Sequence, residues 1–320
     1  MESLQTVLNP GVLFFILGLV AVLLKSNLTI PESVVKFLGL YLMLAIGFKG
    51  GVSLHQSGLS GDGWIIIGII LLMSAVVPLY SFFLLRKRLG VPDAAAIGAT
   101  YGSNSTLTYI TAAGFLTSIG AEYAGYMTVA LVVMETPAII LSVIMAQCFT
   151  HTRSTKSTRL VIRESLTDGT LLVLIGSMGI GYMLTAMGTE KSPLATFISG
   201  DMFTGMLVFF LLYMGTVVGR KIREMDHFPP VLAVFALVAP IVNGLAAVGL
   251  SMLFGFDEGD ALLLTILCAS SSYIVAPAIL KDTLPEANPA KYLTMSMGIT
   301  FPLNVIIGIP AYWWLIQQVL

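Results

Sequence analysis

The chain has 320 residues, of which 57% are hydrophobic and 10% charged, with a mean hydropathy of +0.93 and a net charge of −1. Soluble domains are typically about a quarter charged, and nucleic-acid-binding domains are usually basic, so both classes are excluded. Apolar stretches near the roughly 20 residues that a helix needs to cross a membrane recur along the whole sequence. We therefore predict an all-α polytopic membrane protein.

The apolar stretches predict about ten spans. The connections between these spans are too short to form a water-soluble domain. In chain order they cover about 11–25, 34–54, 63–85, 93–116, 122–149, 168–187, 201–219, 228–254, 259–281 and 292–319. The segment before the first span lacks the basic region of a cleaved signal peptide. We expect the first span to be retained as a helix.

Basic residues are distributed very unevenly between the connections. Fourteen of the sixteen lie beside or between spans on one side, after odd-numbered spans: Lys25, Lys36, Arg86, Lys87, Arg88, Arg153, Lys156, Arg159, Arg163, Arg220, Lys221, Arg223, Lys281 and Lys291. The opposite connections contain Lys191, and Lys49 lies inside the second span. By the positive-inside rule the basic side is cytoplasmic, so both termini are expected outside.

Short motifs recur between the two halves at nearly one offset. Tyr101–Ser105 and Cys268–Ser272 are offset by 167, as are Asp93 and Asp260, both near predicted helix starts. Gly47 and Gly51 match Gly215 and Gly219 at 168, and Pro137 matches Pro302 at 165. With five spans per half, the halves would be oppositely oriented. We predict inverted repeats over 1–150 and 168–320, joined by a short basic cytoplasmic linker, 151–167.

The polar runs in spans four and nine are the candidate site. Non-helical backbone is tolerated in a bilayer only where protein or a water-filled cavity surrounds it. Gly102 permits unwinding, and hydroxyl and amide side chains can replace backbone partners or bind an ion. An interrupted helix also exposes N–H groups to an anion and carbonyls to a cation. Repeated breaks of this kind predict a transport site, although small polar residues also line ordinary helix contacts.

Several stretches resemble the sodium-dependent bicarbonate permeases best known from cyanobacteria. They are Ile46–Gly51, Met134–Ala138, Ala269–Ser272 and the loop Leu284–Tyr292. The serine triplet with its following loop is the most specific of these, and the ten-span pattern extends the resemblance over nearly the whole chain.

The resemblance implies a fold similar to bile-acid sodium symporters, in which helices four and nine break and cross. It implies a trimeric, elevator-like plasma-membrane carrier that takes up bicarbonate with sodium and needs no organic cofactor. Lipid is the surrounding partner. The implied substrate site is formed by Gly102, Ser103, Asn104, Ser105, Ala269, Ser270, Ser271 and Ser272.

The sequence departs from that family pattern in three places, one of which is the more polar first break, with Asn104 and Tyr109. Tyr273 stands where an acidic residue follows the serine triplet, and the connection at about 150–165 is much shorter. The short connection weakens the expectation of a PII-like regulatory partner. Candidate sodium ligands are Thr106, Glu135, Tyr273 and Asn304.

Charges within spans leave alternatives open. Lys49 and Glu135 could pair with each other, or Lys49 could extend to the outer surface; alternatively, Glu135 could hold a cation or Lys49 replace one. Asn243 and Asn304 are the kind of residue that usually bonds neighbouring helices. Coupling to protons and transport of a small carboxylate remain alternatives to sodium and bicarbonate.

Other protein classes fit the sequence less well. Gly58–Gly61 spells the GxSG of an intramembrane serine protease, but no histidine lies within a span to act as its base. A channel is the other alternative, although paired breaks in repeated halves favour a carrier. We therefore expect no enzyme activity.

Overall fold

The computed structural model describes residues 10–59, 61–150, 169–188, 198, 201–223 and 228–320. Regular structure in these ranges is helical, with no strand. In chain order the helices are α1 Pro10–Leu23, α2 Glu32–Ser57, α3 Gly61–Leu89, α4 Val91–Gly102, α5 Thr106–Ser118, α6 Tyr126–Glu135, α7 Pro137–Thr150, α8 Gly169–Ala186, α9 Asp201–Arg223, α10 Pro230–Phe254, α11 Glu258–Ala269, α12 Val275–Thr283 and α13 Pro289–Val319. The linker 151–167 and Ser60 of the GxSG motif lie outside the described residues.

Within the described ranges, six helical segments are long and apolar enough to cross a membrane. They are Glu32–Ser57, Gly61–Leu89, Tyr126–Phe149, Met202–Arg223, Pro230–Phe254 and Pro289–Val319. Large apolar side chains such as Leu72, Leu84 and Phe209 are exposed on these helices, as expected for surfaces that face lipid. The prediction of an all-helical, multi-pass membrane protein is confirmed, and the total of ten spans remains a prediction.

The four other predicted spans correspond to shorter helices. Spans one and six match the apolar helices α1 and α8, whose apolar parts are Pro10–Leu23 and Leu171–Ala186. Spans four and nine are each divided in two, into α4 and α5 and into α11 and α12. The divisions fall in the two polar runs, so these segments bring helix ends rather than continuous helix to the interior.

Prolines interrupt two further helices near the site. Thr136 separates α6 from α7, directly before Pro137. In α13, π-helical turns at Thr294–Thr300 and Asn304–Gly308 flank the short α-helical stretch that contains Pro302. Because proline has no backbone N–H and its ring displaces the preceding turn, an irregular helix is expected at both places.

The helices form two groups according to their most extensive contacts. We call α1, α2, α8 and α9 the four-helix group, in which α1 packs on α9 and α2 on α8. Gly51 of α2 lies against the Met178 carbonyl of α8, and Gly215 of α9 lies against the Phe15 carbonyl of α1, so any side chain there would clash. The remaining helices, with both divided ones, form the break-bearing group.

Candidate functional site

The first break consists of Ser103, Asn104 and Ser105. Ser103 ends α4 in an extended conformation, and the Ser105 side chain caps α5 by accepting a 3.2 Å hydrogen bond from the Thr108 N–H. Serine suits such a cap because its hydroxyl satisfies an N–H that has no partner within the helix. All three residues are buried.

Side chains of the first break also bind α6. Ser103 Oγ donates to the Glu135 carbonyl at 3.1 Å, and Asn104 Nδ2 donates to the Leu131 carbonyl at 2.8 Å. Leu131 and Glu135 are four residues apart, so their carbonyls lie on one face of the helix. The break is thus held to a neighbouring helix by two side-chain bonds.

The second break runs from Ser270 to Ile274. Ser270 ends α11 in an extended conformation, and its Oγ donates to the Leu267 carbonyl one turn earlier, at 3.1 Å. Ser272 Oγ accepts a 3.1 Å bond from the Ala276 N–H of α12. Ser272 is offset by 167 from Ser105, and each of the two hydroxyls bonds the first turn of the helix that follows its break.

The two breaks are hydrogen-bonded directly to each other. The Ser105 N–H donates to Ser270 Oγ at 2.9 Å, and the Ser272 N–H donates to the Thr100 carbonyl at 2.7 Å. The residues joined are more than 160 positions apart in the chain. The substrate-site residues predicted from the sequence are therefore brought together.

Asn304 of α13 supports the second break from one side. Its Nδ2 donates to the Ala269 carbonyl at 2.8 Å. Ala269 is the last residue of α11, where carbonyls lose their helical partners. This bond fits the general expectation that a buried asparagine bonds a neighbouring helix, which Asn243 also does by accepting a 3.0 Å bond from the Tyr80 hydroxyl.

Some buried oxygens around the breaks have no partner in the protein. They are Asn104 Oδ1, Thr108 Oγ1, Ser271 Oγ and Asn304 Oδ1. Leaving a buried polar group without a hydrogen bond costs about 1–3 kcal/mol, so such atoms usually mark a missing water, ion or ligand. Asn104 and Ser271 are each the second residue of their break and are equivalent at the 167 offset.

A cavity of about 10 Å³ lies between the breaks, which is the size needed for one water molecule. Its lining contains three of the four candidate sodium ligands, Thr106, Glu135 and Tyr273, whereas Asn304 is not in it. The rest of the lining is Asn104, Ser105, Leu107, Ser272, Ile274 and Val275. Among the described residues no three His, Cys, Asp or Glu side chains cluster, so hydroxyl, amide and carbonyl oxygens dominate the site.

A larger crevice of about 490 Å³ separates the breaks from the four-helix group. Leu107, Tyr273 and Ile274 line both this crevice and the small cavity. The opposite wall includes Met43 of α2 and Tyr213 of α9. Lys36, at the beginning of α2, is the one charged side chain among the described residues that line the crevice. The crevice therefore joins the site to the end of α2 that the sequence assigns to the cytoplasm.

Gly102 has a different role from the one expected. It is the last residue of α4 rather than an unwound one, and a Cβ at this position would clash with the ring of Pro78 and lie 2.8 Å from the Ala138 Cβ. Glycine is needed here because α3 and α7 both approach the helix end closely.

Asp93 and Asp260 lie in the first turns of α4 and α11, in agreement with their expected positions near helix starts. Gly90 and Asp257 occupy the cap positions, and the two carboxylates bind other elements instead. Asp93 accepts hydrogen bonds from the Asn288 N–H, at 2.8 Å, and from Lys291 Nζ.

Asp260 makes the corresponding bonds in the other half, to the Ala124 N–H at 2.7 Å and to the Tyr126 hydroxyl. Asp93 thus joins the start of α4 to the start of α13, which supports the second break. Asp260 joins the start of α11 to the start of α6, which supports the first break. Burial, and secondarily Asp260, raise the pKa of Tyr123 in the adjoining loop to about 12, so this phenol stays neutral.

Lys49 does not form the considered pair with Glu135. Its Nζ lies 3.4 Å from Thr117 Oγ1, at the end of α5, and 5.6 Å from the centroid of the Phe203 ring. A cation near a helix C-terminus and over an aromatic face is favourably placed. Lys49 consequently joins the four-helix group to the break-bearing group away from the small cavity.

The sequence did not indicate Thr100, Thr108 or the two accepting carbonyls of α6. Thr108 could have been found from the sequence, because it continues the polar run Tyr101–Ser105 a few residues further along the chain. The Thr100, Leu131 and Glu135 carbonyls could not have been found in this way, since every residue carries a backbone carbonyl.

A comparison with protein families is decisive at this point. The model of the Na⁺-dependent bicarbonate transporter superfamily matches residues 10–317. The chain belongs to this superfamily. The suspected family resemblance is confirmed, and membership identifies the molecule as a transporter rather than an enzyme. No match was found among curated proteins.

Proposed function

We propose that this member of the superfamily carries bicarbonate into the cell together with sodium, by alternating access. The observation that carries the proposal is the direct hydrogen bonding of two helix breaks around buried oxygens that have no protein partner. Membership of a sodium-dependent bicarbonate transporter superfamily supports the choice of both solutes.

We propose that the chain has ten spans in two inverted repeats, 1–150 and 168–320, with both termini outside the plasma membrane. Paired contacts support this arrangement. Asp93 and Asp260 make corresponding bonds in the two halves. Gly51 and Gly219, at the 168 offset, likewise pack against α8 and α1, respectively. A duplicated carrier predicts such pairs, whereas an unrelated pair of halves gives no reason for them.

The proposed anion site is the junction of the breaks, formed by Gly102–Ser105 and Ala269–Ser272. The first N–H groups of α5 and α12 follow the breaks directly and have no carbonyl partners within their helices, and Ser105 and Ser272 each bond one of them. Helix N-termini attract anions, and serine hydroxyls donate hydrogen bonds to them. Bicarbonate is larger than the 10 Å³ cavity, so its binding requires the junction to open toward the crevice.

The proposed sodium ligands fit the preference of a hard cation for oxygen. Asn104 Oδ1, the Thr106 hydroxyl and the Glu135 carboxylate would hold the ion at the small cavity, with the Tyr273 phenol beside them. Asn304 Oδ1 would offer a ligand on the other side of the second break. Sodium would supply positive charge next to the anion, which links the binding of one to the other.

We propose an elevator-like movement in which the break-bearing group slides against the four-helix group. The large crevice lies along this boundary and reaches the site from the end of α2. Hydrogen bonds between the two breaks keep the site intact during the movement. By family resemblance, three copies would assemble through surfaces that stay fixed in the bilayer, and the short connection at about 150–165 argues against the PII-like regulator of that family.

The proposal is tested by uptake of ¹⁴C-bicarbonate into proteoliposomes at pH 8, with an inward gradient of either sodium or potassium. Protein-free liposomes correct for diffusion of carbon dioxide. We expect sodium alone to drive accumulation above the bath concentration. Equal uptake with both cations would refute sodium coupling, and loss of uptake with a protonophore would assign the coupling to protons. Stronger competition by formate or acetate than by unlabelled bicarbonate would assign a small carboxylate as substrate.

A further inference from the structure

A long apolar groove runs between α3 and α10 on the surface of the break-bearing group. Its volume is about 620 Å³, and it extends over three helical turns of α10, from Pro230 to Val242. Among the residues that line it, Leu84 is 63% exposed, Val234 58% and Val242 54%. These side chains are left uncovered by the protein along the full length of the groove.

The tyrosine that lines the groove has its hydroxyl already hydrogen-bonded within the protein. Tyr80 lines the groove, and its hydroxyl donates a 3.0 Å hydrogen bond to Asn243 Oδ1. The rest of the lining is aliphatic or aromatic except at one end. A molecule that fills the groove along its length must therefore be a hydrocarbon chain there.

Arg88 lies at that end and is the one charged side chain among the described residues that line the groove. The two basic residues that directly precede Arg88 in the chain do not line the groove. Arg86 lies with its guanidinium 4.8 Å and 4.7 Å from the ring centroids of Phe83 and Phe149, neither of which lines the groove. Lys87 is exposed and is also absent from the lining. The Arg88 guanidinium thus lies at one end of an apolar groove.

The same end of the groove contains the N-terminus of α10. Pro230 is the first residue of this 25-residue helix and lines the groove together with Val231. The positive end of the helix dipole therefore adds to the charge of Arg88. A basic site between membrane helices at the cytoplasmic end is typical of binding sites for anionic lipid head groups.

We propose that the groove binds an anionic phospholipid, with one acyl chain against α3 and α10 and the phosphate on Arg88. A guanidinium binds a phosphate through two parallel hydrogen bonds, and this geometry distinguishes Arg88 from a diffuse positive surface. The inference goes beyond the transport function and does not depend on which anion is carried.

The position of the groove connects the lipid with the transport site. Pro78 of α3 packs against Gly102 at the first break, and Ala236 of α10 accepts a 2.9 Å bond from Thr300 of α13. The lipid is therefore bound by helices that support the breaks, on their outer side.

The test is native mass spectrometry of the detergent-purified protein titrated with phosphatidylglycerol or phosphatidylcholine. Wild type is expected to bind phosphatidylglycerol more tightly. Arg88→Gln should weaken this binding about tenfold, as expected for loss of a charge-assisted hydrogen bond, and should weaken binding of phosphatidylcholine less, because its choline cation offsets the charge of its phosphate. Lys87→Gln is the matched control and should match wild type, since it removes the same charge beside the groove.

A second pair of variants tests the apolar part. Val238→Trp fills the groove and should reduce binding of phosphatidylglycerol, whereas Val76→Trp places the same ring at an exposed position of α3 outside the groove. Equal affinity of wild type for both lipids would overturn the proposal. Equal effects of Arg88→Gln and Lys87→Gln, or full binding by Val238→Trp, would do so as well.

Discussion

The two breaks occupy equivalent places in the chain but are held in different ways. In the first, the side chains of Ser103 and Asn104 donate to carbonyls of α6. In the second, the backbone carbonyl of Ala269 accepts from a side chain of α13, and Ser271 Oγ has no protein partner. The first break is therefore fixed by its own side chains, whereas the second keeps a hydroxyl for another molecule.

The lengths of the breaks point the same way. Three residues separate α4 from α5, and five separate α11 from α12. The shorter break leads into a helix with a serine cap at its N-cap position, whereas Ile274 at the N-cap of α12 makes no side-chain bond. We infer that the first break is the rigid wall of the site and the second its adjustable one.

The largest expected effect concerns the helix ends that precede the breaks. Gly102→Ala should strongly lower the melting temperature and the yield of folded protein, because the new methyl meets Pro78 and Ala138 and overpacking typically costs about 1–3 kcal/mol. Ala269→Gly is the matched change in the other half and should have the smaller effect. Similar melting temperatures for both variants would contradict the assigned asymmetry.

The next largest effect is the expected contrast between Asn104 and Ser271, which occupy equivalent positions in the two breaks. Asn104→Ala should lower both thermal stability and uptake, because it leaves the Leu131 carbonyl without its donor at a cost of about 1–3 kcal/mol. Ser271→Ala should reduce bicarbonate uptake with little change in melting temperature, since the hydroxyl has no protein partner to lose. Melting curves in detergent and sodium-driven uptake measure the two effects. A Ser271→Ala variant as unstable as Asn104→Ala would make the second break structural too.

Asn304→Leu provides a further comparison on the supporting side of the second break. The substitution removes the donor to the Ala269 carbonyl and one candidate sodium ligand. We expect a raised sodium concentration for half-maximal uptake together with a modest fall in melting temperature. Asn243→Leu, in which Tyr80 loses its acceptor instead, is the control and should lower stability without shifting the sodium dependence.

The smallest expected effects concern the two aspartate contacts. Lys291→Met removes a charged partner of Asp93, whose side chain is 11% exposed, and Tyr126→Phe removes the neutral partner of Asp260. Both should lower the melting temperature by a few degrees, as expected for a loss of about 1 kcal/mol. Only the contact between Asp93 and Lys291 joins two formal charges, so raising the salt concentration should reduce the difference between wild type and Lys291→Met more than that for Tyr126→Phe.

The positions of the breaks were predictable from the sequence because runs of small polar residues recur at equivalent places in two apolar spans, which ordinary helix contacts do not require. The offset of 167 also paired Ser105 with Ser272, whose N–H groups both bond the opposite divided helix, at Ser270 Oγ and at the Thr100 carbonyl. The sequence did not reveal what fixes the first break, since the acceptors on α6 are backbone carbonyls. Gly102 was misinterpreted for a related reason, because the need for glycine arises from Pro78 of another helix.

The aspartates illustrate a further limit of sequence reasoning. An acidic residue in the first turn of a helix is well explained by local electrostatics, and nothing local distinguishes that role from a contact across the fold. Asp93 and Lys291 are 198 residues apart, and only the three-dimensional packing brings them together. Their equal spacing from the breaks in the two halves was the one available signal, and it indicated repetition rather than contact.

The bonds between Ser105 and Ser270 and between Ser272 and Thr100 have a consequence for how the protein can be divided. Each bond takes its donor from one half of the chain and its acceptor from the other. Neither half alone contains a complete junction, so neither half of the chain could form the proposed site by itself. In the proposed inverted-repeat arrangement, two fragments expressed from separate genes would regain the junction by associating in opposite orientations, as an antiparallel pair.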